Sequence, residues 1–439
     1  MSKKIFIERG PKLWNKAKQI IPGGGMLLSK RSEMFLPNLW PSYFQKTKGC
    51  YVWDLDGNKF TDMSIMGIGT NSLGYSHDSV DSAVQDIVSL GNMSSFNCPE
   101  EVELAEKLIE INPWADMVRF ARSGGEANAI SIRIARAASG KDNVAFCGYH
   151  GWHDWYLSSN IADKDSLSDH LLDGLDTSGV PSILKGTSFP FTYNDYDGLL
   201  KLVKDQNIGV IKMEVQRNLP PENGFLEKVR KLATERGIVL IFDECTSGFR
   251  ETFGGLHKKY KVEPDIAMYG KALGNGYAIT AIVGRSEIME NAQSSFISST
   301  FWTERIGPTA ALACLKVMEE LKSWEVITNI GYKAREGWKE IAANNNLDIE
   351  ISGIPAISIF NFKSKNNLAY KTLITQEMLK QGYLAGNSLY ACIEHEQFLA
   401  EYFGKLNEIF KLIRKCEDGD PIMDLLDSEI CHSGFKRLN

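Results

Sequence analysis

Lys271 is set among glycines in Asp265-Ile-Ala-Met-Tyr-Gly-Lys-Ala-Leu-Gly-Asn-Gly276, just after a short apolar run. Burial disfavours a charged ammonium, so a lysine in such a place can serve as nucleophile and base. An isolated surface lysine in a loop is the plain alternative. A second segment, Ile241-Phe-Asp-Glu-Cys-Thr-Ser-Gly-Phe-Arg250, ends an apolar strand in two carboxylates. A carboxylate at a strand end can hold the nitrogen of a bound heteroaromatic ring protonated, and Asp243 is the candidate. Capping the next helix or pairing with Arg250 are its structural uses.

Two further motifs precede these. Ala121-Arg-Ser-Gly-Gly-Glu-Ala127 lies between a strand and a helix start. Small residues there let backbone N–H groups approach a phosphate, and the helix N-terminus favours its charge. A tight turn with a serine N-cap accounts for the same residues. Cys147-Gly-Tyr-His-Gly-Trp-His-Asp154 follows the next strand, where open α/β folds bind ligands. Tyr149 or His150 can stack on a flat ring, and packing of an aromatic loop is the alternative. Each motif is ambiguous alone. In order they supply a phosphate cup, a stacking aromatic, a ring-nitrogen carboxylate and a Schiff-base lysine. That set describes a pyridoxal 5′-phosphate (PLP) site.

The surrounding elements must hold these residues at strand ends. Strands are expected at Met117–Ala121, Asn143–Cys147, 208–214, 238–243, 265–269 and 278–283. Helices are expected at 126–138, closed by Gly140, and at 225–236. Short apolar strands alternating with amphipathic helices imply a mostly parallel sheet covered on both faces. Three parts are expected: an N-terminal segment over 1–60, a large domain over 61–320 and a small α+β domain over 321–439. The small domain should hold a strand at 356–362, a helix near 370–381, a strand at 388–393 and a helix at 397–415.

Composition narrows the alternatives. A formal net charge of -6 offers no footprint for nucleic acid or an anionic membrane. No apolar run reaches membrane-spanning length, and the first ten residues carry charges too early for a secretory signal. The eight cysteines form no CxxC pair and read as reduced core thiols. The seven histidines show no HxxxH or HExxH spacing, so no metal site is expected. A cytoplasmic enzyme is the expectation.

From about Gly23 to its C-terminus the chain resembles the class III aminotransferases of PLP fold type I, in particular the glutamate-1-semialdehyde aminomutase-like group. The likeness is densest at Asp243-Glu-Cys-Thr-Ser-Gly-Phe-Arg250 and around Lys271. The resemblance implies an α/β large domain with a mostly parallel seven-stranded sheet. It implies that Lys271 forms the Schiff base and carries the proton, that Asp243 pairs with the pyridine nitrogen and that Tyr149 stacks on the ring. Ser123, Gly124 and Gly125 would hold the phosphate. Glu214 and Gln216 would lie near the cofactor's hydroxyl, and Thr300 would reach the phosphate of a neighbouring subunit. A homodimer with shared active sites is implied, with a small-molecule amino donor and a carbonyl acceptor, a keto acid or keto-sugar, used in ping-pong order.

The chain departs from that pattern in places. Gly125 stands where the family has Thr or Ser. Gly23-Gly-Gly-Met-Leu-Leu-Ser29 replaces the aminomutases' Ser-Pro-Val-Arg, and Tyr390 stands where they carry Glu. Thr300-Phe-Trp-Thr-Glu-Arg305 replaces a smaller glycine-bearing stretch. These differences favour an intermolecular transaminase over an intramolecular aminomutase. A racemase or epimerase, with His150 as an opposite-face base, and a non-enzymatic relative are further alternatives. Arg250, Arg305 and Arg414 are candidates for a substrate carboxylate. Trp152, Trp155, Trp302 and Tyr390 either line a pocket or pack in the core.

Overall fold

The computed structural model describes residues 5–162, 167 and 175–434. It divides into two compact units, 78–325 and 1–77 together with 326–439. The segment 61–77, expected in the larger domain, therefore belongs with the termini. The reason is visible in the pairing. Strands β1 (Phe44–Lys48), β2 (Tyr51–Asp54) and β3 (Lys59–Asp62) form an antiparallel ribbon.

The 78–325 unit is built on seven strands in the order β4-β10-β9-β8-β7-β5-β6. They are β4 (Met117–Ala121), β5 (Asn143–Cys147), β6 (Ser188–Pro190), β7 (Ile208–Met213), β8 (Val239–Asp243), β9 (Ile266–Tyr269) and β10 (Thr280–Gly284). Only β10 runs antiparallel to its neighbours. Every residue of β7, β8, β9 and β10 is buried, which is why these strands read as continuous apolar runs.

The helix Gly124–Ser139 follows β4 and lies on this sheet. Ser123 caps it, and the Glu126 side chain reaches back to form a capping box. Gly140 closes it at φ 65°, in the left-handed region that favours glycine. Its Ala127, Ile130 and Ile134 pack with Val210, Val239, Ile241 and Met268 of the strands. Burying each of these Ile, Val and Met side chains contributes roughly 1.5–3 kcal/mol.

The other unit has two sheets. In one, β13 (Tyr383–Leu384) adds to β3 in parallel, tying the N-terminal ribbon to the C-terminal part. The other comprises β11 (Ile349–Ile354), β12 (Ile357–Phe362) and β14 (Ser388–Tyr390), all antiparallel. The helices Ser323–Asn344, Asn367–Lys380 and Leu399–Glu417 supply the apolar faces around Trp338, Phe360 and Phe410. The pattern for β6 and β11 was absent from the sequence reading: β6 is three residues long, and β11 is mostly half-buried with no clear alternation of faces. Among the described residues, no helix is long and apolar enough to cross a membrane.

Candidate active site

The parallel strands β5, β7 and β8 end side by side, with Cys147 opposite Met213 and Met213 opposite Phe242. Asp243 is the last residue of β8 and is buried. Its Oδ2 lies 2.8 Å from His150 Nδ1, and its Oδ1 accepts from Cys245 N at 3.1 Å. The other ring nitrogen of His150 faces the Cys147 carbonyl at 3.1 Å. Both partners are acceptors. His150 is thus sealed in the core and committed to Asp243. This removes it as an opposite-face base.

Burial alone would raise the Asp243 carboxyl pKa. The His150 hydrogen bond, the nearby Lys212 ammonium and the Cys245 N–H overcome it and hold the group well below the usual carboxylate range. Lys212 is itself buried on β7, donating to Ser131 Oγ at 3.0 Å and Met268 Sδ at 2.9 Å. Burial pushes its pKa down to about 8. The adjacent Glu244 is spoken for: its Oε1 accepts from His257 N and Nδ1, each at 2.9 Å, and Ser247 Oγ donates to Oε2. Of the two carboxylates at this strand end, Asp243 is the one held down by the nearby Lys212 charge.

Lys271 follows β9 with φ 47°, a left-handed conformation that costs a non-glycine residue about 1–2 kcal/mol. Its Nζ donates to Thr246 Oγ1 at 2.8 Å. Burial, then the positive charge of Arg217, lowers its pKa to about 8. A larger share of free amine is available near neutral pH than at an ordinary lysine. Thr246 is three residues past Asp243, so one turn carries both the ring carboxylate and the lysine's partner.

The expected phosphate cup sits at the start of the helix Gly124–Ser139. Thr280 of β10 joins it to the lysine segment. Thr280 Oγ1 approaches the Ser123 carbonyl at 3.4 Å, and its methyl lies 3.1 Å from where a Cβ on Gly270 would be. A Cβ on Gly125 would stand 3.0 Å from His153 Cε1 and 3.1 Å from Trp152 Nε1. Here the aromatic loop fills the space that a Thr or Ser side chain would need. His153 Nδ1 is buried with no hydrogen-bond partner among the described residues.

Tyr149 is half-buried, packed edge-on against Tyr156 with ring centroids 6.0 Å apart. Its backbone N–H donates to Glu214 Oε2 at 3.2 Å. Glu214 Oε1 pairs with Arg217 Nη1 at 2.8 Å. The structure therefore brings Ser123, Gly124, Gly125, Tyr149, Glu214, Asp243 and Lys271 to one end of one sheet. Gln216 is buried and accepts from the Tyr260 hydroxyl. Thr300 is exposed, on a loop whose Trp302 and Glu304 carbonyls accept from Arg122 at 2.8 and 2.7 Å.

The three arginine candidates are otherwise engaged. Arg250 is fully buried and donates to the Thr246 carbonyl, Arg305 pairs with Glu100, and Arg414 pairs with Asp418. Trp155 is core, Trp302 packs partly against that core, and Trp152 is exposed, stacked on His153. His150, Lys212, Thr246 and Arg217 escaped the sequence reading in these roles. Their signal is a contact, not a spacing.

The residues fit PLP on three counts. A buried carboxylate is held anionic, a lysine has a lowered pKa, and a capped sixteen-residue helix opens on Gly124 and Gly125 beside a His153 nitrogen with no partner among the described residues. Among the described residues, no cluster could hold a metal ion.

Comparison with known proteins identifies the family. The family model described as "Aminotransferase class-III" matches residues 37–394. A 3-aminobutyryl-CoA aminotransferase of Cloacimonas acidaminovorans is 34% identical over 389 residues, covering 86% of this chain and 89% of the relative. A glutamate-1-semialdehyde 2,1-aminomutase of Methanothrix thermoacetophila is 32% identical over 354 residues, covering 79% and 80%. Among solved structures, the PLP internal aldimine form of the FumI protein of Sphingopyxis sp. MTA144 superposes with a TM-score of 0.84 at 22% identity. It covers 95% of this chain and 100% of that one. This last likeness is one of fold.

Proposed function

The chain belongs to the class-III aminotransferases, PLP-dependent enzymes, and from that premise we propose that it moves an amino group from an amino-acid donor to a keto acid acceptor in two half-reactions. The observation that carries the reading is the pairing of two tuned groups at adjacent strand ends: Lys271 held by Thr246, and Asp243 held anionic by His150. PLP, when bound, supplies an electron sink for the bond at the donor carbon. In this reading Lys271 would hold the cofactor and move the proton at the donor carbon. Asp243 would keep the ring nitrogen protonated, and Tyr149 would stack on the ring. The backbone of Ser123, Gly124 and Gly125 receives the phosphate at a helix N-terminus. Glu214 and Gln216 stand on the hydroxyl side.

The reading extends to a cytoplasmic homodimer in which Thr300 contacts the phosphate of the partner subunit. Exposed apolar side chains support the dimer. Leu90, Phe96 and Phe301 are 75%, 86% and 70% exposed, and their segments adjoin through the Arg305 N–H to the Asn92 carbonyl at 3.1 Å.

The test is the visible spectrum of the purified protein with PLP, before and after single amino donors. Loss of the visible band with glutamate or alanine, and no such band in Lys271→Ala, is the expected result. A β-amino acid is the next donor to try, because one relative is named for 3-aminobutyryl-CoA. A band that donors perturb but never convert points to aminomutase or epimerase chemistry. No band at all with PLP would sink the reading.

A further inference from the structure

We propose that Lys212 is a positioning residue of the reaction: a cation buried behind Asp243 that limits how tightly this carboxylate holds a protonated ring nitrogen. The inference rests on the aminotransferase reading and names a group that would tune the electron sink in it.

Lys212 interrupts an apolar strand. All six residues of β7 are buried, and Lys212 is fully so. Lys212 lies opposite Ile241 on β8, and Asp243 lies opposite Met268 on β9. Side chains alternate faces along a strand, so Ile241 and Asp243 share one, and so do their neighbours in register. Lys212, Asp243 and Met268 therefore point to the same face of the sheet. On that face Ile241 and Met268 pack against the helix Gly124–Ser139.

The helix fixes the ammonium. Lys212 Nζ donates to Ser131 Oγ at 3.0 Å and to Met268 Sδ at 2.9 Å. Ser131 gives its own proton to the Asn128 carbonyl at 2.8 Å, which leaves its oxygen to accept. Neither partner of Lys212 carries charge, and a thioether accepts weakly. The carboxylate that acts on Lys212 is Asp243, and each favours the charged form of the other. The Cys245 thiol, two residues on, is the other titratable group that acts on it.

Filling space does not account for this lysine. A methionine would fill it without the cost of desolvating a charge. The charge has a consequence at Asp243. A carboxylate with a cation nearby is a weaker base, and the same cation repels any second cation that the carboxylate holds. Lys212 touches neither cofactor nor substrate in this reading. It acts through Asp243.

Competition between PLP and its benzene analogue, in which C–H replaces the ring nitrogen, tests this. The full-length protein is equilibrated with both and reduced with borohydride, and the ratio bound at Lys271 is read by mass spectrometry. Phosphate and aldehyde are common to both compounds, so the ratio isolates the ring nitrogen. Lys212→Met should raise the preference for PLP by roughly 10-fold, the ratio for one pKa unit. Lys212→Gln, which keeps a hydrogen bond to Ser131, should raise it likewise. Lys212→Arg keeps the charge and should leave the ratio within about two-fold of wild type. An unchanged or lowered ratio in the neutral variants, or an equal rise in Lys212→Arg, overturns the role of Lys212 alone. Wild type that takes up neither compound at Lys271 sinks the aminotransferase reading with it.

Discussion

The protein buries an aspartate beside a histidine twice, once in each unit, and the two places behave oppositely. At the end of β8, Asp243 meets the His150 ring directly through Oδ2, and the other ring nitrogen faces the Cys147 carbonyl. At the end of β3, Asp62 meets only neutral donors. Its Oδ1 accepts from Ser64 N at 2.9 Å and Ser64 Oγ at 2.6 Å, and its Oδ2 accepts from Tyr75 Oη at 2.7 Å. His395 touches it through the backbone. Nε2 donates to the Asp62 carbonyl at 2.8 Å, while Nδ1 accepts from Cys392 N at 3.3 Å. One nitrogen donates and one accepts, so this ring is neutral. Burial accordingly pushes the His395 pKa down to about 4. Residue type is the same in both places. What differs is the contact: His150 meets its aspartate through the side chain, and His395 meets Asp62 through the backbone.

The sharpest way to break this comparison is to neutralise each aspartate. Asp243→Asn should lower kcat/KM by roughly 10²–10⁴-fold, by removing a positioned charge. Asp62→Asn should leave kcat/KM within a few-fold while costing about 1–3 kcal/mol of stability. Steady-state kinetics beside urea unfolding measures both, and equal catalytic losses would erase the distinction.

Removing each histidine comes next. His150→Leu leaves a buried carboxylate without its ion-pair partner and should cost about 3–5 kcal/mol in urea unfolding. His395→Leu loses only neutral hydrogen bonds and should cost about 1–3 kcal/mol.

The neutral histidine also makes a pH prediction. Its folded pKa, about 4, lies below the ordinary 6.5, so the unfolded chain binds the proton first. The stabilisation is whole above pH ~6.5 and is lost as pH falls toward 4, amounting to roughly 3 kcal/mol. Thermal unfolding across that window should steepen in wild type and flatten in His395→Gln.

The smallest expected effect sharpens the active-site side. Thr246→Val removes the acceptor of Lys271 Nζ and should lower kcat by about 3- to 10-fold, the worth of one hydrogen bond. Pre-steady-state decay of the visible band with a fixed donor would check it.

Much of this was legible before any coordinates. Met117–Ala121, Asn143–Cys147 and Phe225–Arg236 fall where the pattern put them, because apolar runs and bounding glycines mark them locally. The motifs holding Ser123, Asp243 and Lys271 were readable for the same reason: each is contiguous and lies at a strand end. The partners were not. His150 and Asp243 are 93 residues apart, and Lys271 and Thr246 are 25 apart. Nor could the sequence show that residues 61–77 join the terminal unit, since that depends on β13 pairing with β3.

Sequence alone determined which chemical groups this protein possesses and the order in which strands deliver them, because periodicity and turn chemistry are local properties. Tertiary structure decided their charge states. The lowered pKa values of Asp243, Lys271 and His395 depend on burial and on contacts of about 3 Å between segments brought together only by folding.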